Sequence, residues 1–161
     1  MYKTKNDIPE TTRTAAVTIL NARLADAVDL MLQAKQAHWN VKGPDFLTLH
    51  KLHKLFDEIV NAAEEYMDLL AERVVHLGGT AEGTVQVAAK RAALKEHPIT
   101  IISAACEHVE ALSSALATFG KSVHQAKDQS NELGDRDTAD IFTEISRGVD
   151  KYLWFVDAQR G

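Results

Sequence analysis

His53, Asp57, Asp68 and Glu72 are nitrogen and oxygen donors of the kind that hold iron or zinc. His53 and Asp57 stand four residues apart, as do Asp68 and Glu72, so on a helix each pair stacks on one face. At about 100° per residue the four fall near 0°, 40°, 60° and 100°, so all share that face. Leu49, Leu52, Phe56, Val60, Ala63, Met67, Leu70 and Val74 cluster roughly 110° away on the same helix, which therefore has a chemical face and a packing face.

One chain cannot close these pairs on one ion, because Asp57 and Asp68 are about 16 Å apart along the axis at 1.5 Å per residue. The midpoint between His53 and Glu72 coincides with that between Asp57 and Asp68. A second copy of the helix, antiparallel about a two-fold axis at that midpoint, lays His53 and Asp57 of one chain beside Asp68 and Glu72 of the other. Such pairing makes two equivalent sites per dimer. The small side chains of Ala62 and Ala63 at the midpoint are expected to let the helices approach closely.

His50 also lies on the chemical face, but its seven-residue separation from Asp57 is too long for one ion, and Lys54 stands where the matching acid would be. His53 is the better ligand. His50 is left as a ligand of an additional metal, a residue supporting the ligands, or an exposed side chain. His38 closes an apolar stripe, where a histidine is either a buried hydrogen-bonded residue or a ligand. Trp39 beside it packs either in the core, its default, or over a dry metal pocket. His76, His97, His108 and His124 show no matching carboxylate pattern and receive no role.

The elements that must position these residues read as helices. The chain has 161 residues, 45% hydrophobic and 25% charged, with only Pro9, Pro44 and Pro98 as prolines. That size and composition predict one domain, 1–161, with a short amino-terminal tail at 1–9. Val17, Leu20, Leu24, Val28, Met31 and Ala34 predict a first helix from Pro9 to about Asn40. Gly43-Pro44-Asp45 breaks the chain and starts a second helix, with Pro44 near its first position, running to about Leu77, where Gly78-Gly79 stops it. A long connection to Pro98 carries a short helix at Val85 to Leu94. From Ile99, the seam Ile102, Ala105, Val109, Leu112, Leu116, Phe119 and Val123 predicts a third long helix. After Leu133-Gly134, Asp135, Asp137 and Asp140 open a fourth, striped by Ile141, Ile145, Val149, Tyr152 and Val156. Four long helices and one long crossover make an all-α four-helix bundle.

Other chemistries fit poorly. Cys106 is the only cysteine and lies inside an apolar helical pattern, which excludes an intrachain disulfide and a cysteine-based zinc site. Gly78 and Gly83 have phosphate-loop spacing, but Thr84 occupies the lysine position. A net charge of −5 argues against chain-wide affinity for nucleic acid and suits a cation. The amino terminus holds no apolar run resembling a signal peptide and no stretch is long enough to span a bilayer, so a cytoplasmic protein with no membrane partner is expected.

The runs AHWNVKGPDF, LHKLFDEI, DLLAERVVHLGGTAEGT and ELGDRDTADIFTEISRGVDKYLWFVDAQ resemble the Dps family, the ferritin-like DNA-binding proteins from starved cells. The resemblance spans the first helix to about Gln159. It implies a ferritin-like bundle, twelve copies of which form a hollow cage. It also implies oxidation of Fe(II), usually with hydrogen peroxide rather than dioxygen, and storage of the ferric product, which protects against oxidative damage. The ligands it carries over are His38 in HWN, His53 and Asp57 in HKLFD, and Asp68 and Glu72 in DLLAER, with zinc as a substitute for iron. Asp135, Asp140 and Glu144 are similar to the acidic lining of the family's three-fold pores.

Two departures stand out. The His38 to His53 interval is three residues longer than is usual in the family, through the tandem LHKLHKLFD. The carboxylate spacing downstream holds only from His53. Members that condense DNA commonly use lysine-rich tails, whereas here only Lys3 and Lys5 precede Asp7 and Glu10. DNA binding, with nucleoid association, is therefore the alternative function, in which the iron chemistry is weak or lost.

Overall fold

The computed structural model describes residues 1–43, 45–98 and 104–160. Five helices follow in order: α1 (Glu10–Asn40), α2 (Phe46–His76), α3 (Val85–Arg91), α4 (Ala105–Glu132) and α5 (Arg136–Asp157). The described residues contain no strand, only an isolated bridge between Lys42 and Ala104. α1 packs against α2 and α4, α4 against α5, α2 against α5, and α3 lies along α1. The core is built from the expected stripes, with Leu20, Leu24, Phe56, Leu70, Leu112, Leu116, Phe119, Phe142 and Ile145 essentially sealed from solvent.

The helix ends follow local chemistry. Asp45 caps α2 by accepting from the backbone N–H groups of Leu47 (3.3 Å) and Thr48 (2.9 Å), so the helix begins at Phe46. Pro44 and the Ile99 and Ile102 positions of the third seam lie outside the described residues. At the other end Gly78 takes φ +83, and Gly79 N–H donates to the Val74 carbonyl at 2.9 Å. This wrap favours glycine because a side chain is strained at that φ.

α3 is shorter than the Val85 to Leu94 expected from apolar pattern. Its end is set by tertiary contacts: Ala92 is extended, and the Ala93 N–H donates to Asp26 of α1 at 2.7 Å. Buried polar groups of α1 hold much of the crossover in this way. Asn21 donates to the Thr80 carbonyl and accepts from the Glu82 N–H, both at 3.0 Å, and Gln33 donates to the Lys95 carbonyl at 3.0 Å. A loop laid over a helix needs partners for its backbone, and these residues supply them.

Candidate metal centre

α1 ends and α2 begins beside one another, and this places His38 against His53 and Asp57. The His38 Nδ1 lies 3.2 Å from the His53 carbonyl, 3.3 Å from Asp57 Oδ1 and 3.4 Å from His53 Nδ1. The two rings meet edge to face with centroids 4.6 Å apart. When Nδ1–H of His38 donates to the carbonyl, its Nε2 carries the lone pair a cation needs. Burial, reinforced by neighbouring His38 and His50, lowers the pKa of His53 against the opposing pull of Asp57. A neutral imidazole is the form that binds metal.

His38, His50, His53, Lys54, Asp57, Glu58 and Asn61 line a cavity of about 510 Å³. Asp57 is not free in it, because Lys35 Nζ lies 3.0 Å from the Asp57 Oδ1. Lys35 is one turn before His38 on α1 and carried no signal in the sequence, since its partner comes 22 residues later on another helix. Among the described residues, no three His, Cys, Asp or Glu groups of this one chain are arranged to hold a metal ion.

Asp68 and Glu72 are exposed on the outer face of α2, farther along the helix. The structure therefore brings His38, His53 and Asp57 together and leaves Asp68 and Glu72 apart from them, as the helical rise requires. Around the midpoint of the two pairs, Ala62 and Ala63 are turned inward, 7% and 0% exposed. They pack inside their own bundle and cannot provide the close approach expected of them. The outward residues at that level are Asn61 and Glu64, which are equidistant from the same midpoint.

Two further expectations are changed. Trp39 is 65% exposed and does not line the cavity, so it is neither a core residue nor a cover over the pocket in this chain. Asp135 is buried and serves as the cap of α5: it accepts from the Thr138 N–H at 3.1 Å and the Thr138 hydroxyl at 2.6 Å, and pairs with Arg73 at 2.7 Å. A carboxylate so engaged does not face a pore. Asp140 and Glu144, one turn apart on α5, are exposed. The amino-terminal tail is docked at its start, the Tyr2 N–H donating to the Gly78 carbonyl at 2.6 Å.

A bundle with one long crossover, setting a histidine of α1 against a histidine and a carboxylate of α2, defines a class. The Ferritin-like domain family matches residues 17–161, and the chain belongs to that family. A DNA protection during starvation protein of Agrobacterium fabrum is 43% identical over 157 residues, covering 98% of this chain and 94% of that protein. Within the ferritin-like proteins, the chain is a member of the Dps family. The crystal structure of a Dps protein from Bacillus brevis superposes with a TM-score of 0.83 at 30% identity, covering 92% of this chain and 96% of that one. Dps from Microbacterium arborescens, solved in a high iron form, gives 0.84 at 29%, with 96% of each chain covered. This membership supports an iron-storage or protective role. Among the described residues, no helix is long and apolar enough to cross a membrane.

Proposed function

We propose that the protein is a ferroxidase and iron-storage mini-ferritin, cytoplasmic and built as a cage of twelve subunits from two-fold dimers. His38, His53 and Asp57 of one subunit join Asp68 and Glu72 of the partner subunit to bind Fe(II), the substrate. The observation that carries this reading is the cluster of His38, His53 and Asp57, with a second carboxylate pair set symmetrically on the same helix.

The carboxylates balance the charge that iron gains on oxidation, and the imidazoles complete a set suited to borderline cations. Hydrogen peroxide takes one electron from each of two ferrous ions, its O–O bond breaks, and with two protons it leaves as two waters. The ferric product passes to the cage interior. Asp140 and Glu144 supply the negative lining that raises cation concentration at the three-fold pores.

The test is anaerobic Fe(II) oxidation on addition of peroxide, followed by ultraviolet absorbance. His53→Ala and Asp68→Ala are each expected to reduce the fast phase to the rate of buffer. Oxidation unchanged in both variants contradicts the proposal. The docking of Tyr2 keeps Lys3 and Lys5 near the protein surface, which disfavours DNA condensation by a free tail. A gel shift across salt concentrations measures that alternative directly, and tight binding with oxidation no faster than buffer reverses the ranking.

A further inference from the structure

Two histidines left outside the proposed centre stand near opposite ends of α2. His50 is on its first turns, His76 is its last residue, and both are exposed. His50 lies on the stripe that carries the carboxylates and His76 borders it: measured from His53, His50 falls near 60°, Glu72 near 100° and His76 near 140°. The axis that sets His53 beside Glu72 of the partner subunit also carries His50 to the level of the partner's Val75. His50 and His76 of the partner subunit then differ by a single residue's rise, about 1.5 Å along the helix.

The hollows on the surface follow the same symmetry. One is the cavity containing His50, His53 and Lys54, and the other, about 380 Å³, is lined by Ala71, Glu72, Val75, His76 and Ala81. The axis takes His50, His53 and Lys54 to the levels of Val75, Glu72 and Ala71. That symmetry sets the two hollows at matching levels along the paired helices. The Phe46 ring stacks on His50, with centroids 6.1 Å apart and planes 16° from parallel, which restrains the imidazole at the edge of that space. Lys54, four residues beyond His50, has the Glu58 carboxylate 4.0 Å away to balance it.

We propose that His50 of one subunit and His76 of the partner subunit form an additional divalent-cation site beside the ferroxidase centre, with Glu72 of the partner subunit reaching both. The site rests on the cross-subunit centre proposed above and extends it outward by one helical turn. Two imidazoles and a carboxylate select Fe(II), Co(II) or Zn(II) over magnesium and calcium. A ferrous ion held there waits next to the position where it is oxidised. The inserted Leu-His-Lys thereby acquires a role, since the tandem it creates supplies His50 in addition to His53.

The test is anaerobic calorimetric titration of the assembled protein with Co(II), paired with the visible absorbance of bound cobalt. His50→Ala and His76→Ala are each expected to lower the cobalt bound by one ion per subunit. The double variant is expected to lose that same ion and no more, as two ligands of one site require. Asp68→Ala removes a different increment, that of the central site. If both histidine variants bind as much cobalt as the parent while Asp68→Ala still loses its increment, the outer site is wrong and the shared centre stands. Loss in His50→Ala alone also overturns the pairing with His76. If Asp68→Ala itself loses nothing, the shared centre fails and the outer site fails with it.

Discussion

Lys35 holds the Asp57 carboxylate at 3.0 Å, so a dication entering the cavity must displace an ammonium group or share an oxygen with it. Replacing Lys35 by Met removes both the competitor and a like charge. Zn(II) affinity measured by calorimetry at low salt is expected to rise roughly tenfold, and the gain should shrink as salt is added. Unchanged affinity would mean that Lys35 swings away without cost. That His53 and Asp57 share a helical face was legible in the sequence because it is local to one helix, whereas the partner of Lys35 is set by how α1 lies on α2. The same holds for His97 and His108, which received no role yet form a buried pair, His97 Nε2 3.1 Å from His108 Nδ1. Burial first, and then His108, pushes the pKa of His97 down to about 4. The folded state therefore keeps His97 neutral where the unfolded chain takes up a proton. The associated stability is complete above about pH 6.5 and is lost as pH falls towards 4. Thermal unfolding between these limits should be less pH-dependent in His97→Gln than in the parent.

The helices themselves were largely readable, since apolar stripes at three- and four-residue steps identify long amphipathic segments without knowledge of their neighbours. What the pattern left undetermined was whether a polar residue serves its own element or a distant one. Asp135 shows the ambiguity: an acid opening a helix reads as a pore residue or a surface acid, and not as a cap. The structure resolves it through Arg73, whose Nη2 lies 2.7 Å from Asp135 and whose Nε donates to the Thr138 hydroxyl at 2.9 Å. This clamp ties the end of α2 to the start of α5. Asp135→Ala removes the cap and strands a nearly buried guanidinium, and should cost about 3 kcal/mol in urea denaturation. Asp140→Ala, at an exposed position, should stay within about 0.5 kcal/mol. Equal effects would show that Asp135 is not structural.

At the scale of the assembly, the proposed centre needs two chains, because helical rise separates His53 and Asp57 from Asp68 and Glu72 along α2. The coincident midpoints of the two ligand pairs pointed to a two-fold axis from sequence alone. The residues at that axis were misassigned, because Ala62 and Ala63 lie on the inward side of α2 while Asn61 and Glu64 lie outward. Small residues suggested close helix packing, and in the structure their packing is within the bundle. The central claim is therefore that each centre draws ligands from two subunits, and subunit mixing tests it most directly. His53→Ala and Asp68→Ala proteins are separately inactive in this account. When dissociated, mixed in equal amounts and reassembled, half of the dimers pair one subunit of each kind, and each such dimer regains one intact centre of two. Peroxide-driven Fe(II) oxidation should return to about a quarter of the parent rate. A mixture as inactive as either variant alone would contradict the shared centre.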